Sequence, residues 1–404
     1  MRLIVVGGGA AGVFAACNAA AKHPDMEVIL LEQSSNLLSK VKVSGGGRCN
    51  LTHNCSEIGE MIKKYPRGKN FLKKSFHEFF TNDTINWFES RGVKLKTEPD
   101  GRMFPVTNNS QTIIDILIKE LNIHRVKIYF RKKVVNINKN QQWEVECLNN
   151  EIFKTDFLCI ACGGLNKSSM FEFLQKTGHN FIPPVPSLFT FNLPQHPLKE
   201  LMGIAVENAK ISIPVLKKEE SGPLLITHWG YSGPVVLKLS SFAARDLHNL
   251  EYNFKIRINW TGILKEPEVK DIFSEKRNSS PSALVVNKAL INIPARLWKL
   301  QCYRSGITDN TRFADLSSTS RQQLINHILF DEYTVKGKTT FKEEFVTAGG
   351  IDLKEVNPLT MESRLHHKLF FAGEVLDVDG ITGGFNFQHA WTSGYIASRL
   401  GESE

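Results

Sequence analysis

The sequence predicts an α/β chain: a Rossmann-like dinucleotide-binding domain interrupted by an inserted domain of β-barrel and helical character. Three observations predict it. The first thirty-two residues run strand, glycine-rich turn, helix, strand and acid, the order of a dinucleotide fingerprint. Glycine-rich strand ends recur at residues 44–50, 163–164 and 373–386. Between residues 189 and 345 these signals stop, and alternating strands followed by polar helices replace them.

Each element has a physical reason. Arg2 to Val6 is a short apolar run suited to a buried strand. Gly7 allows the tight turn out of it, Gly9 leaves the backbone open to a pyrophosphate, and Gly12 lets the following alanine-rich helix pack close. Ala11 lies in the first helical turn, whose N–H groups and dipole face a diphosphate. Glu32 ends the second strand twenty positions after Gly12, where its carboxylate accepts from both hydroxyls of an adenosine ribose and repels a 2′-phosphate.

The segment Ser44-Gly45-Gly46-Gly47-Arg48-Cys49-Asn50 follows, and three consecutive glycines let backbone lie against something flat. From Glu57 to Arg91 the pattern is helical, with Phe71, Phe76, Phe79, Phe80, Trp87 and Phe88 as core. A turn at Gly101–Pro105 leads to an amphipathic helix over Ser110–Asn122, with Ser110 as its cap. Three strands, Lys127–Phe130, Lys133–Asn138 and Trp143–Leu148, form a small meander, and Phe157–Ala161 is a further strand ended by Cys162-Gly163-Gly164. Pro183-Pro184-Val185-Pro186 marks a boundary. The predicted division is therefore residues 1–188 with 346–404 as one domain and 189–345 as the insert, mainly β over 190–262 and helical over 266–330. Phe345–Ile351 and Leu369–Ala372 restore the buried-strand pattern, and Gly373-Glu374 and Asp379–Asn386 lead into a last helix over Phe387–Leu400.

One glycine fingerprint suffices for a nicotinamide dinucleotide; the two further glycine-rich sites point to FAD. Gly373-Glu374 suits the ribitol and inner phosphate, and Gly45–Gly47 suits the wide ring. A helix start at Gly383-Gly384-Phe385-Asn386 suits the ring edge that gathers negative charge on reduction. At these residues the chain resembles the BaiN/YhiN-like bacterial FAD-dependent oxidoreductases. The resemblance runs from the first strand to the last helix and is carried by Ser44–Thr52, Gly101–Pro105, Thr227–Pro234, Val346–Gly350, Phe371–Gly380 and Gly383–Asn386. It implies a two-dinucleotide-binding-domain flavoprotein fold with an inserted barrel and helices, noncovalent FAD, and NADH or NADPH as a transient reductant. It says little of substrate, since one branch of that family is described as reducing a steroid-like enone and most members have none assigned; the reading is a small or flat hydrophobic, enone-like substrate held between the FAD domain and the insert. Val134 and Gly163 join the expected cofactor contacts. One departure is Leu37-Leu38-Ser39-Lys40, which lacks the glycine-basic pair expected before the triple glycine.

For chemistry beyond the flavin, His228 and Tyr231 stand in a glycine-bounded loop of the insert as proton donors, with Ser232 beside them. Arg48 and Arg102 are candidates to fix a substrate carbonyl or carboxylate. Cys49 and Cys55 lie near the ring loop, but not at the spacing of a flavin disulfide reductase. No metal-spaced histidine set accompanies His366-His367.

The formal net charge is +9, read as a solvated surface with phosphate-binding residues, because no block of five basic residues appears. Nucleic acid is not expected as a partner on this reading, though an RNA-binding flavoprotein such as a tRNA modifier is the alternative, and a flavin-binding regulator without turnover a third. Seven scattered cysteines and an N-terminus that enters a strand directly suit a reducing cytoplasm. No apolar run approaches a membrane span, and the sequence sets no oligomeric state.

Overall fold

Strand β1 (Arg2–Val6) is buried along four of its five residues, as a strand covered on both faces must be. Helix α1 (Ala10–Lys22) follows, and its residues from Ala11 to Ala20 are buried on every side. Alanine and glycine make that possible, because a helix of small side chains can be approached closely from two directions. Strand β2 (Glu27–Leu31) pairs parallel with β1 from Arg2↔Glu27 to Val6↔Leu31. Helix α2 (Ser39–Gly47) loses helical dihedrals from Ser44 to Gly46. Strand β3 (Thr52–His53) then pairs antiparallel with β4 (Arg102–Pro105).

The continuous helical stretch expected from Glu57 to Arg91 is divided. Helices run over Ile58–Met61, α3 (Lys69–Ser75) and Thr81–Glu89. Pro66 and Gly68 break the first from the second, Gly68 taking φ +79°. The aromatics of this stretch are core as expected. Phe14 of α1 packs its ring within 4.7–6.3 Å of Phe79, Trp87, Phe88 and Trp391. Helix α4 (Gln111–Ile123) begins beside Ser110, whose side chain does not cap it. Ser110 Oγ instead donates to the Lys42 carbonyl at 2.7 Å, and its amide donates to the Gly47 carbonyl at 2.8 Å.

The expected meander begins one strand later than the sequence suggests. β5 (Lys127–Tyr129) joins β2 in parallel as the edge strand, with half-buried Ile128 opposite Leu30. The meander is β6 (Val134–Lys139), β7 (Trp143–Cys147) and β8 (Ile152–Thr155). β9 (Phe157–Ile160) returns parallel to the other side of β1. β10 (Phe181–Ser187) contains the proline-rich segment, with an irregular register between Ile182 and Val185 where proline cannot donate.

The computed structural model describes residues 1–164, 172–339 and 346–402. The chain divides into two units, Met1–Ser187 with Phe341–Glu404, and Leu188–Thr340. The second unit is antiparallel. Its strands are β11 (Thr190–Asn192), β12 (Ala205–Ile213), β13 (Lys218–Ile226), β14 (Gly230–Ser232) and β15 (Asn253–Asn259), then β16 (Asp331–Lys336) and β17 (Lys338–Thr339), in the order β16-β15-β12-β13-β14-β11-β17. β16 and β17 sit at opposite ends of that order, yet only Gly337 separates them. One strand, bent at Gly337 (φ +89°), therefore pairs with β15 at its start and β11 at its end, and closes the sheet into a barrel. Helix α5 (Pro234–Phe242) and the helices α6 (Glu266–Ser279), α7 (Ala295–Arg304) and α8 (Ser318–Leu329) share its core, which includes Trp260, Trp298 and Ile328.

β18 (Val346–Ile351) re-enters the first unit as the antiparallel partner of β10, with Val346 opposite Ser187. β19 (Leu369–Phe371) then pairs parallel with β9, which completes a parallel sheet in the order β19-β9-β1-β2-β5. The order reverses at β1, so a crevice opens beyond the C-terminal ends of β1 and β9. Helix α9 (Phe385–Ala397) starts two residues earlier than expected and lies against α1. No helix among the described residues is long and apolar enough to cross a membrane.

A Cβ at Gly12 would stand 1.9 Å from the Gly7 carbonyl oxygen, whereas a Cβ at Gly9 would meet nothing within 4 Å. Gly9 also has φ −81°, open to any residue. Gly12→Val is therefore expected to cost roughly 4 kcal/mol or more, an upper-range single-substitution loss. Gly9→Val should keep the thermal midpoint of wild type stripped of its dinucleotide and lose only dinucleotide binding. Thermal melts of both variants check this; a Gly9→Val protein that unfolds like Gly12→Val would refute it.

Candidate functional site

The crevice is lined first by the β1–α1 turn. Gly7 donates to Leu31 O at 2.8 Å, and a Cβ there would sit 2.4 Å from Ala161 O. Among the described residues, no protein acceptor meets the amides of Ala10, Ala11 and Gly12 at the start of α1. Glu32 turns one carboxylate oxygen to the Gly8 amide at 2.7 Å and the other to the Ser34 amide at 2.7 Å. Those contacts fix its rotamer and leave each oxygen a second lone pair for a ribose hydroxyl. Lys132 donates its amide to Glu32 O at 2.9 Å, which places Val134, two residues on, beside this end of the sheet; its side chain is buried against the meander.

The triple glycine forms a second wall. Gly45, Gly46 and Gly47 all have positive φ, +58°, +68° and +83°, a run that L side chains could not follow. Gly45 backs onto Asn50 and the Phe104 ring, while Gly46 and Gly47 present open faces with nothing within 4 Å of a built Cβ. Ser44 Oγ donates to Val41 O at 2.8 Å, and Ser44 O accepts the Cys49 amide. Cys49 is fully buried, and burial pushes its thiol up to about 12, so it is a packed thiol at neutral pH. Asn50, with its amide oriented by its neighbours, donates to Thr52 O at 3.1 Å and accepts from the Gly384 amide at 3.0 Å. One side chain thus joins the triple-glycine turn to the start of α9.

That helix start is the third wall. Among the described residues, the amides of Phe385, Asn386 and Phe387 meet no protein acceptor. The Gly384 amide, expected among the free donors, is the one Asn50 takes. Phe385 is buried with its ring stacked 4.7 Å from His53, and its carbonyl accepts from Tyr65 at 2.7 Å. Asn386 accepts from the Gly380 amide at 2.8 Å and donates to Gly380 O at 2.9 Å, so its side chain clamps the preceding loop. Gly383 contributes its carbonyl to His53 Nδ1 at 3.2 Å.

Asp379 was expected at the cofactor; its carboxylate is instead engaged within the protein. It is fully buried, both its oxygens take the forked guanidinium of Arg67, and Ser187 donates to it at 2.7 Å. Burial holds this carboxyl above its usual range, with Arg67 and Ser187 opposing the shift.

Between the walls lie Gly163, open and at φ +78°, and the turn Gly373-Glu374. Glu374 accepts from the Thr347 amide at 2.8 Å and pairs with Lys40 at 2.6 Å. Lys40 is the one basic residue of the segment that lacks the glycine-basic pair. A Cβ on Gly373 would fall 2.7 Å from the Ala11 Cβ, so the turn lies directly on α1. His389 and Ser393 of α9, absent from the sequence expectations, fix it from below. His389 Nε2 lies 3.1 Å from Gly373 O, and Gly373 N donates to Ser393 Oγ at 2.9 Å. Their i, i+4 spacing was the available signal.

The residues expected to act on substrate divide. Arg48 and Arg102 are drawn together by Glu98, at 2.8 and 3.0 Å, with Arg48 also 4.1 Å over the Phe104 ring and Arg102 paired to Asp100. His228 is exposed, edge-on to Trp229. Tyr231 corrects its expectation. It is 0% exposed inside the barrel, ringed by Trp260, Tyr333 and His196, and burial raises its hydroxyl well above the usual value. Period-2 alternation on β14 turns it inward, so it cannot hand a proton to a molecule outside the barrel.

These walls fit FAD. Gly9, Gly46, Gly47 and Gly163 offer open backbone that a Cβ would fill, and two helix starts offer free amides. His389 is wholly enclosed, and burial lowers its pKa to about 4, as it does for His179. Between pH 6.5 and 4 the unfolded chain therefore binds protons that the folded chain refuses, so stability falls as pH falls through that window. His389→Gln keeps a donor for Gly373 O and should make this acid slope shallower, read as the thermal midpoint against pH. An unchanged slope would show that His389 is not held neutral.

Comparison with known proteins matches residues 1–400 to the family described as HI0933-like protein Rossmann domain. The chain is similar to the 3-dehydro-bile acid delta(4,6)-reductase of Clostridium scindens, 29% identical and covering 98% of each chain. It is equally similar, at 29%, to the ribosomal RNA dihydrouridine synthase of Escherichia coli, covering 98% of this chain and 96% of that one. Among solved structures, the FrdA chain of Escherichia coli quinol fumarate reductase shares the fold at a TM-score of 0.50 and 13% identity, covering 98% of this chain and 69% of that one. The chain belongs to the HI0933-like Rossmann family.

Proposed function

We propose that this chain is an FAD-dependent oxidoreductase that saturates a carbon–carbon double bond conjugated to a carbonyl, drawing electrons from NADH or NADPH. The observation that carries the reading is the joint made by Asn50, which ties open Gly46–Gly47 backbone to a helix start with three free amides. Bound there, FAD supplies a hydride at N5. The amides of Phe385, Asn386 and Phe387 hold negative charge at the ring edge, worth up to about 2 kcal/mol when partly buried. Ala10–Gly12 and Glu32 hold the diphosphate and ribose, and Glu374 with Lys40 holds the middle of the cofactor. The names of the two relatives support the bond type: a 3-dehydro steroid double bond and the uracil C5=C6 bond are both conjugated to a carbonyl. His228 is the remaining candidate proton donor from the insert, and Arg48 with Arg102 the candidate anchor for a substrate carbonyl.

A small hydrophobic enone is one substrate class. A uracil carried on RNA is the second, favoured by the net charge of +9.

The purified protein should be yellow and release FAD on denaturation. Under anaerobic conditions NADH or NADPH should bleach the flavin, and an α,β-unsaturated ketone or a uridine-containing RNA should restore its colour. Release of FMN, or a flavin that reduced nicotinamide leaves oxidised, sinks the proposal.

A further inference from the structure

The first unit carries a second feature outside the glycine walls. A groove of about 490 Å³ runs between α3 and the segment 353–364, floored by Phe71 and Pro358. Four cations line it, Lys69, Lys74, Lys354 and Arg364, and no aspartate or glutamate does. All four are exposed, and none forms an ion pair among the described residues. Other basic side chains of this unit do find carboxylates, Lys63 with Glu60, Lys127 with Glu27, Lys132 with Glu151 and Arg399 with Glu78, whereas the groove brings four cations together without one. A groove that keeps four unpaired charges together is repulsive to itself and is relieved by an anion.

The spacing favours a polyanion over a single phosphate. Lys69 and Lys74 lie five positions apart on α3, about 7.5 Å along the helix axis and about 140° around it, so their Cβ atoms do not converge on one point. Two ammonium groups so placed serve successive phosphates of a strand better than one ion. The apolar floor suits the sugar faces between phosphates. Position points the same way: the groove begins at Gly68, packed on Val378, next to Arg67, which is bridged to Asp379. Asp379 stands seven residues before Asn386 at the start of α9, so an occupant of the groove is adjacent to the loop that feeds the proposed ring edge.

We infer that this groove binds the sugar–phosphate backbone of a single RNA strand. The inference rests on the second substrate class of the proposed function and supplies the surface which that class requires. It differs from the redox reading in its observable, because strand binding needs no turnover.

The test uses the full chain as purified and a fluorescein-labelled oligouridylate, with anisotropy followed against potassium chloride. Four phosphate contacts predict a slope of log affinity against log salt of about −3, from roughly −0.7 per contact for single strands. Lys74→Gln with Arg364→Gln should bring the slope to about −1.4 and weaken binding about tenfold or more. Flavin content and thermal midpoint should stay at wild-type values, since both side chains are exposed. The control pair Lys94→Gln with Lys119→Gln removes the same charge elsewhere on this unit and should leave the slope in place. An unchanged slope in the groove variant, or an equal loss in the control pair, overturns the inference. So does a groove-dependent affinity for phosphatidylglycerol vesicles or for inorganic phosphate that exceeds the affinity for the RNA. A flavin that nicotinamide cannot reduce would sink the redox proposal while leaving this measurement intact.

Discussion

The structure of the first unit depends on how closely backbone can approach α1. Gly12 brings the helix within contact of the Gly7 carbonyl on one side, and Gly394 brings α9 against the Ala11 carbonyl on the other, where a Cβ would stand at 2.6 Å. Gly373 meets the same first turn at Ala11. These three approaches leave no room for side chains, so alanine and glycine are required on both partners. Their effect is geometric. The start of α1, the Gly373-Glu374 turn and the body of α9 become one rigid piece, and the triple-glycine turn is attached to it through Asn50. The open faces of Gly46 and Gly47 are useful only because everything behind them is locked, by Ser110 on one side and Phe104 on the other.

Much of this was legible in the sequence, for a definite reason. The fingerprint from Gly7 to Glu32 encodes local geometry, in which residue spacing alone fixes which groups meet. The free amides of α9 were legible for the same reason, apart from a shift of two residues in where the helix begins. What was hidden depends on partners far along the chain. Asp379 reads as a ligand until Arg67 and Ser187 arrive from distant segments to occupy it. Ser110 reads as a cap until Lys42 and Gly47 claim it. Tyr231 reads as a loop residue between glycines, but a three-residue strand turns it into the barrel, where it has no access to solvent. His389 and Ser393 read as unremarkable helix residues because the turn they support lies on another segment.

The two substrate classes share a chemical core and differ in what surrounds it. A conjugated double bond asks for a hydride donor, a group to hold the carbonyl oxygen and a proton source. It does not ask whether the ring is part of a steroid or of a nucleotide. On the proposed reading, FAD held by the glycine walls answers the first requirement for both. The decision between carriers falls to surfaces away from those walls, such as the α3 groove, where four cations stand together with no carboxylate in the lining.

The bent strand that closes the barrel has a consequence for synthesis. β11, near residue 190, has β17, near residue 338, as one of its neighbours. The parallel sheet likewise waits for β19 to cover β9. A chain emerging from the ribosome therefore carries two unfinished sheet edges across most of the insert's translation. Barrel closure at Gly337 is the earliest moment at which either can be sealed. The second edge is sealed later still, once Leu369–Phe371 has emerged to pair with β9. Substitutions that stiffen residue 337 should then be felt as lost yield during expression, well before any effect on the finished protein's melting.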